Sequence, residues 1–250
     1  MASSSGVQSV DRAIDLLELL TDLGGDAALS ELAEASELPL PTIHRILRTM
    51  VDRGYARQLA SRRYTLGPRL IRLGESAGRQ FGVGARPHLE RVARELGESA
   101  NLAMIDRDMA VYVAQAASSR SMRTFTEVGR RVYCHCTGVG KMVLSELPEV
   151  TVREIVGRVG MPSHTERSIE SLEDLLVELD TIRDRGYSID DEEQEAGVRC
   201  YAVSVPGAPT PTALSVSGPA PRVTDDFGRR AVPILHEVAA AIATDLLPSA

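Results

Sequence analysis

Residues 30–54, SELAEASELPLPTIHRILRTMVDRG, limit what this chain can become more than any other stretch. A short helix over 30–36 turns Leu32 and Ala33 inward, Glu37, Leu38 and Pro39 make a turn, and a second helix runs over 41–53. Two short helices joined by so tight a turn form a helix-turn-helix. In the second helix Ile43, Ile46, Leu47 and Met50 fall at the i, i+3, i+4, i+7 spacing of a buried stripe. Thr42, His44, Arg45, Arg48 and Thr49 are left on the outer side, where side chains can reach phosphates and base edges. Pro39 and Pro41 suit the start of a helix, where a missing N–H costs nothing.

Charge sharpens this reading. Between Thr42 and Arg72 the chain carries eight arginines against one acidic residue, Asp52, inside a protein of net charge −7. Positive charge concentrated in an acidic chain predicts one localised polyanion surface rather than general coating of nucleic acid. After Gly54 two strand-like runs, 55–58 and 63–66, flank a turn holding Ser61 and Arg62, which predicts a wing beside the reading helix. The candidate DNA contacts are therefore Thr42, His44, Arg45 and Arg48 from the second helix and Arg62 and Arg63 from the wing.

At 250 residues the chain is long for one domain and ordinary for two. The expected division is a winged helix-turn-helix over 7–67, a linker helix over 68–80 that is either a dimerisation element or a spacer, and an effector-binding and oligomerisation domain over 81–250. Residues 1–6 read as a polar disordered arm. A scaffold helix follows, with apolar positions at Val10, Ile14, Leu17, Leu20 and Leu23, Leu16 and Leu19 beside them, and a stop at Gly24 and Gly25. The C-terminal part alternates helices (86–96, 138–147, 152–159, 171–185, 224–246) with strands (100–105, 109–116, 123–128, 187–189, 199–205, 212–217). The fold class is α+β: an antiparallel sheet with flanking helices. Three cysteines, Cys134, Cys136 and Cys200, make no paired framework, and no leader or membrane-length apolar run is present, so a reduced cytoplasm is the expected compartment. Lys141, the only lysine, is assigned no role.

Two features of the second domain suit an anion. The Thr137-Gly138-Val139-Gly140 turn opens a helix whose first N–H groups and dipole favour negative charge. Ser215 and Ser217 alternate along one strand and so share a face. Arg130 and Arg131, just upstream of the turn, could steer an anion towards it. Cys134, His135 and Cys136 raise a rival reading, a cysteine-dependent enzyme or a zinc site. Against it, neighbouring strand residues point to opposite faces, the two cysteines are too close for a paired-ligand turn, and no second ligand pair appears. The expectation is no catalytic residue, no metal and no cofactor.

Five motifs, in order, resemble the IclR family of bacterial transcription regulators: SVDRAIDLLELL, ALSELAEASELPLPTIHRILRTMVDRGY, RRYTLGPRLIRLG, HCTGVGKMVL, and DDEEQEAGVRC followed by ALSVSGP. The resemblance covers nearly the whole chain. It implies a winged helix-turn-helix joined by a linker helix to a GAF-like effector domain. It further implies dimers or dimers of dimers on palindromic double-stranded operators, a small-metabolite effector, and repression as the usual outcome. In the glyoxylate-sensing allantoin repressors of this family, the positions matching Gly138, Val139, Asp190, Cys200, Ser215 and Ser217 resemble the effector contacts. That implies a small carboxylate, glyoxylate or a related 2-oxo acid from allantoin or purine breakdown, with an aromatic or sugar-derived acid as the alternative; an ionised Asp190 would then accept a hydrogen bond from the far end of the ligand. The Pro-rich segment over 205–212, VPGAPTPT, departs from the longer hairpin of many members and puts the edge of the sheet in question.

Overall fold

The computed structural model describes residues 6–81, 83–122 and 126–246, so the arm predicted over 1–6 lies outside it except for Gly6. The chain divides into two compact units, residues 1–77 and 78–250, with the boundary inside a helix.

The first unit opens with α1 (Gln8–Asp22), followed by β1 (Asp26–Ala27), α2 (Leu29–Ser36) and α3 (Leu40–Asp52). Its core closes around Leu16, Leu20, Leu32, Ile43, Leu47, Met50 and Tyr64. The stripe predicted for α3 is therefore the buried one, with Ile46 packed at its margin. In α1 Leu16 and Leu20 face the core and Leu17 and Leu19 pack at its margin, while Val10 and Ile14 are about half exposed. Those two positions, with Val7, make a second apolar line that the 3.6-residue period turns away from the core. Glu37 ends α2 in the left-handed region at φ 55°, which fixes the turn into α3. The wing consists of β2 (Ala56–Gln58) and β3 (Tyr64–Leu66), and β1 adds a third strand that the sequence did not announce, giving the order β1-β3-β2. Next comes α4 (Arg69–Phe81), close to the predicted linker, with Ile71 and Leu73 exposed.

The second unit is built on a six-stranded antiparallel sheet of order β6-β5-β4-β9-β8-β7, comprising β4 (Ser99–Asp106), β5 (Met109–Ala116), β6 (Arg131–Val132), β7 (Ser188–Asp191), β8 (Val198–Ser204) and β9 (Thr212–Pro219). One face, carrying Ala100, Leu102, Tyr201, Val203, Leu214 and Val216, packs on α5 (Arg86–Leu96) and α9 (Asp225–Leu246). The other, carrying Ala103, Ala202 and Ala213, packs on α6 (Gly138–Ser145), α7 (Glu149–Val159) and α8 (Leu172–Arg185). Strand alternation therefore sends Ser215, Ser217, Cys200 and Asn101 to the α6 side. A bulge leaves Val113 unpaired, since Leu102 pairs Ala114 and Ala103 pairs Tyr112; Ala110 and Tyr112 then face α6 while Ala114 and Ala116 face the other layer.

Two further expectations change. Of the strand predicted over 123–128, residues 123–125 lie outside the described residues and 126–128 form no strand; the edge is the two-residue β6, which begins after Gly129 donates to the Tyr112 carbonyl at 2.7 Å. The Pro-rich segment over 205–212 leaves the sheet intact: Val205 N–H donates to the Thr212 carbonyl at 2.8 Å, and β8 and β9 pair without a break from Val198↔Pro219 to Ser204↔Ala213.

Candidate nucleic-acid interface and effector site

On the first unit His44, Arg45, Arg48 and Thr49 stand exposed along α3, and Thr42 is half-buried near its start. Neither Arg45 nor Arg48 has a side-chain ion pair among the described residues, so both are available to an outside anion. Grooves flank α3 on two sides. One is lined by Gln8, Ser9, Arg12, Thr42, Arg45 and Thr49, the other by His44, Arg48, Gln58 and Tyr64. Arg12 thus joins the basic surface although it precedes the arginine-rich window by thirty residues of chain, and no local signal marks it.

The wing divides its two candidates. Arg62 sits at the tip with φ 64°, exposed. Arg63 is turned inward: its guanidinium lies 2.8 Å from Asp26 and 2.9 Å from Glu31, and donates to the Asp26 carbonyl at 3.2 Å. These contacts bind the wing to β1 and α2 and leave the Arg63 side chain about one-third exposed.

In the second unit, Thr137 caps α6 by accepting from the Gly140 N–H at 3.1 Å and donates its own hydroxyl to the Tyr133 carbonyl at 2.8 Å. The N–H groups of Gly138 and Val139 belong to the first turn and have no acceptor within the helix. Gly138 is pressed against β8, since a Cβ there would sit 3.0 Å from the Cys200 sulfur. Asp190 pairs Cys200 across β7 and β8, and Cys200 pairs Ser217 across β8 and β9, so the three form one row beneath the start of α6. Beside that row lies a cavity of about 70 Å³ lined by Gly138, Asp190, Cys200 and Ser217 together with Thr137, Tyr112, Thr126, Arg130, Gln194, Glu195, Val132 and Val198.

Four of the six predicted effector residues therefore meet at the cavity, and two do not. The Val139 side chain joins the apolar cluster under α6. Ser215 lies one row deeper, between Asn101 and Ala202, and is buried there. Asn101 Nδ2 donates to Ser217 Oγ at 3.2 Å, which orients the serine that does reach the cavity. Arg130 is on the wall, whereas Arg131 is held by Asp106 at 2.8 Å.

The electrostatics were not legible beforehand. Lys141 is almost completely buried; its Nζ lies 2.5 Å from Glu193 and 3.5 Å from Glu178, and Glu178 also receives Arg185 at 2.9 Å. Asp190 Oδ1 accepts from the Glu193 N–H at 2.8 Å and the Gln194 N–H at 3.4 Å. Burial, with the Glu193 carboxylate adding to it, pushes Asp190 up to about 7, so it is not the fully ionised group expected from sequence.

Cys134, His135 and Cys136 have different surroundings. Cys134 faces the apolar core, Cys136 donates to Gln194 Oε1 at 3.1 Å, and burial pushes both thiols up to about 12. His135 Nε2 meets the Pro162 carbonyl at 3.1 Å, and its burial lowers its pKa. Among the described residues no group of three or more His, Cys, Asp or Glu is placed to hold a metal. Among them, too, no helix is long and apolar enough to cross a membrane.

Known proteins share both units. Residues 9–60 match the IclR helix-turn-helix domain, and residues 82–244 match the C-terminal domain of the bacterial transcriptional regulator IclR. The chain belongs to the IclR family. The regulator is 34% identical to the transcriptional repressor IclR of Escherichia coli K12 over 94% of this chain and 90% of that one. It is 28% identical to the transcriptional repressor AllR of Salmonella paratyphi A, over 90% and 84% of the two chains. In three dimensions it is similar, with a TM-score of 0.81 and 26% identity over 96% of this chain and all of the other, to an IclR homologue from Microbacterium hydrocarbonoxydans complexed with 4-hydroxybenzoate. As an IclR-family member it is a DNA-binding transcriptional regulator with a helix-turn-helix domain and a sheet-containing effector domain.

Proposed function

We propose that the regulator is a repressor that grips a palindromic operator as a dimer, or as a dimer of dimers, and that a small carboxylate seated at the start of α6 controls that grip. On the DNA side, α3 enters the major groove, Arg45 and Arg48 reach base edges with Thr42 and His44 beside them, and Arg62 and Arg12 contact phosphates. A single reading helix per chain favours two copies on half-sites about one helical turn or a multiple apart. The exposed Ile71 and Leu73 on α4 support self-association there.

The observation that carries the effector reading is the cavity itself. Gly138 at the start of α6, Ser217 and Asp190 converge on about 70 Å³, room for roughly five water-sized groups. That suits an acid of five or six heavy atoms such as glyoxylate. An aromatic acid is the second reading, favoured by the 4-hydroxybenzoate in the Microbacterium homologue, and it requires side chains on the cavity wall to move. The higher identity to the Escherichia coli repressor than to AllR gives no reason to prefer the allantoin branch.

Calorimetry with glyoxylate, succinate and 4-hydroxybenzoate, beside operator binding by fluorescence anisotropy, tests the reading. Glyoxylate is expected to bind and to shift operator affinity, and Ser217→Ala to weaken glyoxylate by about 1–2 kcal/mol. Silence with glyoxylate and a response to succinate or 4-hydroxybenzoate overturns the small-acid reading and leaves the DNA-binding role standing.

A further inference from the structure

The charges around the cavity do not balance when Asp190 is ionised. Lys141 and Arg185 are matched within the interior by Glu193 and Glu178, two cations to two carboxylates in one connected network. Asp190 is the fifth group and, among the described residues, has no cation of its own. Its Oδ1 is taken by the Glu193 and Gln194 amides, and among the described residues no protein donor reaches Oδ2. The groups that face it give little help. Lys141, from α6, is committed to Glu193; Glu193, from the loop after β7, is itself a carboxylate whose Oε2 has no partner. Cys200 on β8, Tyr112 on β5 and Cys136 before α6 are neutral, each raised chiefly by burial. Arg130 and Glu195, of opposite charge, both line the cavity and are both exposed.

An anionic effector at the Gly138 amide would bring yet another negative charge against this carboxyl, since the Asp190 backbone lies 3.6 Å from where a Gly138 Cβ would be. We propose that Asp190 serves the site as a carboxylic acid, so that an anionic effector binds together with a proton taken from solvent and accepts a hydrogen bond from Oδ2. The proton ends on Asp190, and no bond to the effector is made or broken. This rests on the cavity being the carboxylate site. A pKa near 7 before binding means that the coupling falls in the physiological range. Below that pKa the acid is already present and little proton is taken up. Above it each bound anion recruits close to one proton, and affinity falls about tenfold per pH unit. The site thereby selects against effectors whose recognition needs an ionised aspartate, such as amines.

Two measurements on the full chain test the proposal. Infrared spectroscopy should show a protonated-carboxyl band that titrates near neutral pH and is missing in Asp190→Asn; Glu193→Gln, which removes the neighbouring carboxylate, should move its midpoint to lower pH. Calorimetry with glyoxylate as probe, at pH 6, 7 and 8 in buffers of different ionisation enthalpy, should show proton uptake rising towards one, and Asp190→Asn should show none, with pH-independent affinity. Glyoxylate binding without proton uptake, unchanged uptake in Asp190→Asn, or no Asp190 band at pH 6 overturns the proposal. A titrating band with glyoxylate thermally silent upholds the acid form of Asp190 and counts instead against the small-acid reading of the cavity.

Discussion

Gly140→Ala, set beside Gly157→Ala, turns the seating of α6 into a measurable contrast. A Cβ at Gly140 would lie 2.4 Å from the Cys134 Cα, 2.6 Å from its carbonyl oxygen and 2.4 Å from Thr137 Oγ1, where ordinary contact begins at 3.4 Å. The helix and the chain before it would have to part by about 1 Å, and the Thr137 cap on the Gly140 N–H would be lost with the shift. Overpacking of this kind costs about 1–3 kcal/mol and a lost cap about 0.5–2 kcal/mol, together roughly 2–5 kcal/mol. At Gly157, on the outer side of α7, an added Cβ meets nothing within 4 Å, so the same change should stabilise by about 0.5–1 kcal/mol through helix propensity. Urea unfolding followed by circular dichroism reads both, with the winged domain as an internal reference. If Gly140→Ala unfolds within about 1 kcal/mol of the parent, α6 is not seated on the Cys134 backbone and the cavity geometry derived from it falls too.

Three other outcomes are expected. Arg45→Ala should erode the preference for operator over random DNA, whereas Arg62→Ala should weaken both alike and flatten the salt dependence by about one unit of slope, as read by anisotropy titrations at several salt concentrations. Lys141→Met should destabilise the effector domain by about 3–5 kcal/mol by leaving Glu193 buried and unpaired, and adding Glu193→Leu should restore more than half of that in denaturant unfolding. Because Asp190 is raised from 3.8 to about 7 on folding, its stabilising effect is complete below about pH 4 and lost as pH rises to 7; relative to Asp190→Asn, the parent should lose up to about 4 kcal/mol across that window, by thermal denaturation.

What the sequence could disclose was whatever depends on neighbours a few residues away. The α3 stripe, its exposed arginines and the capped α6 turn are periodic or contiguous, and they appear where expected. The fate of Arg63 was not legible because its partners, Asp26 and Glu31, lie 37 and 32 residues earlier and reach it only when β1 pairs β3. Lys141 looked incidental for the same reason: Glu193 and Glu178 are brought to it by β7 and α8. Gly138, Asp190, Cys200 and Ser217 were joined by resemblance, and the cross-strand register supplies the physical cause. Ser215 and Ser217 do share a face, yet only the outer one reaches the cavity, because depth along a strand is set by what packs above it.

Lys141 also gives the molecule a built-in clock. It holds the only side-chain amine in the chain, and that amine is sealed beneath α6. An amine-directed acylating reagent can therefore modify a side chain only when the seam between α6 and α8 comes apart, so the labelling rate in native buffer reports how often that one seam opens. An effector that tightens α6 would slow the clock without any change in secondary structure, and the slowing would measure its hold on the domain before any operator is known.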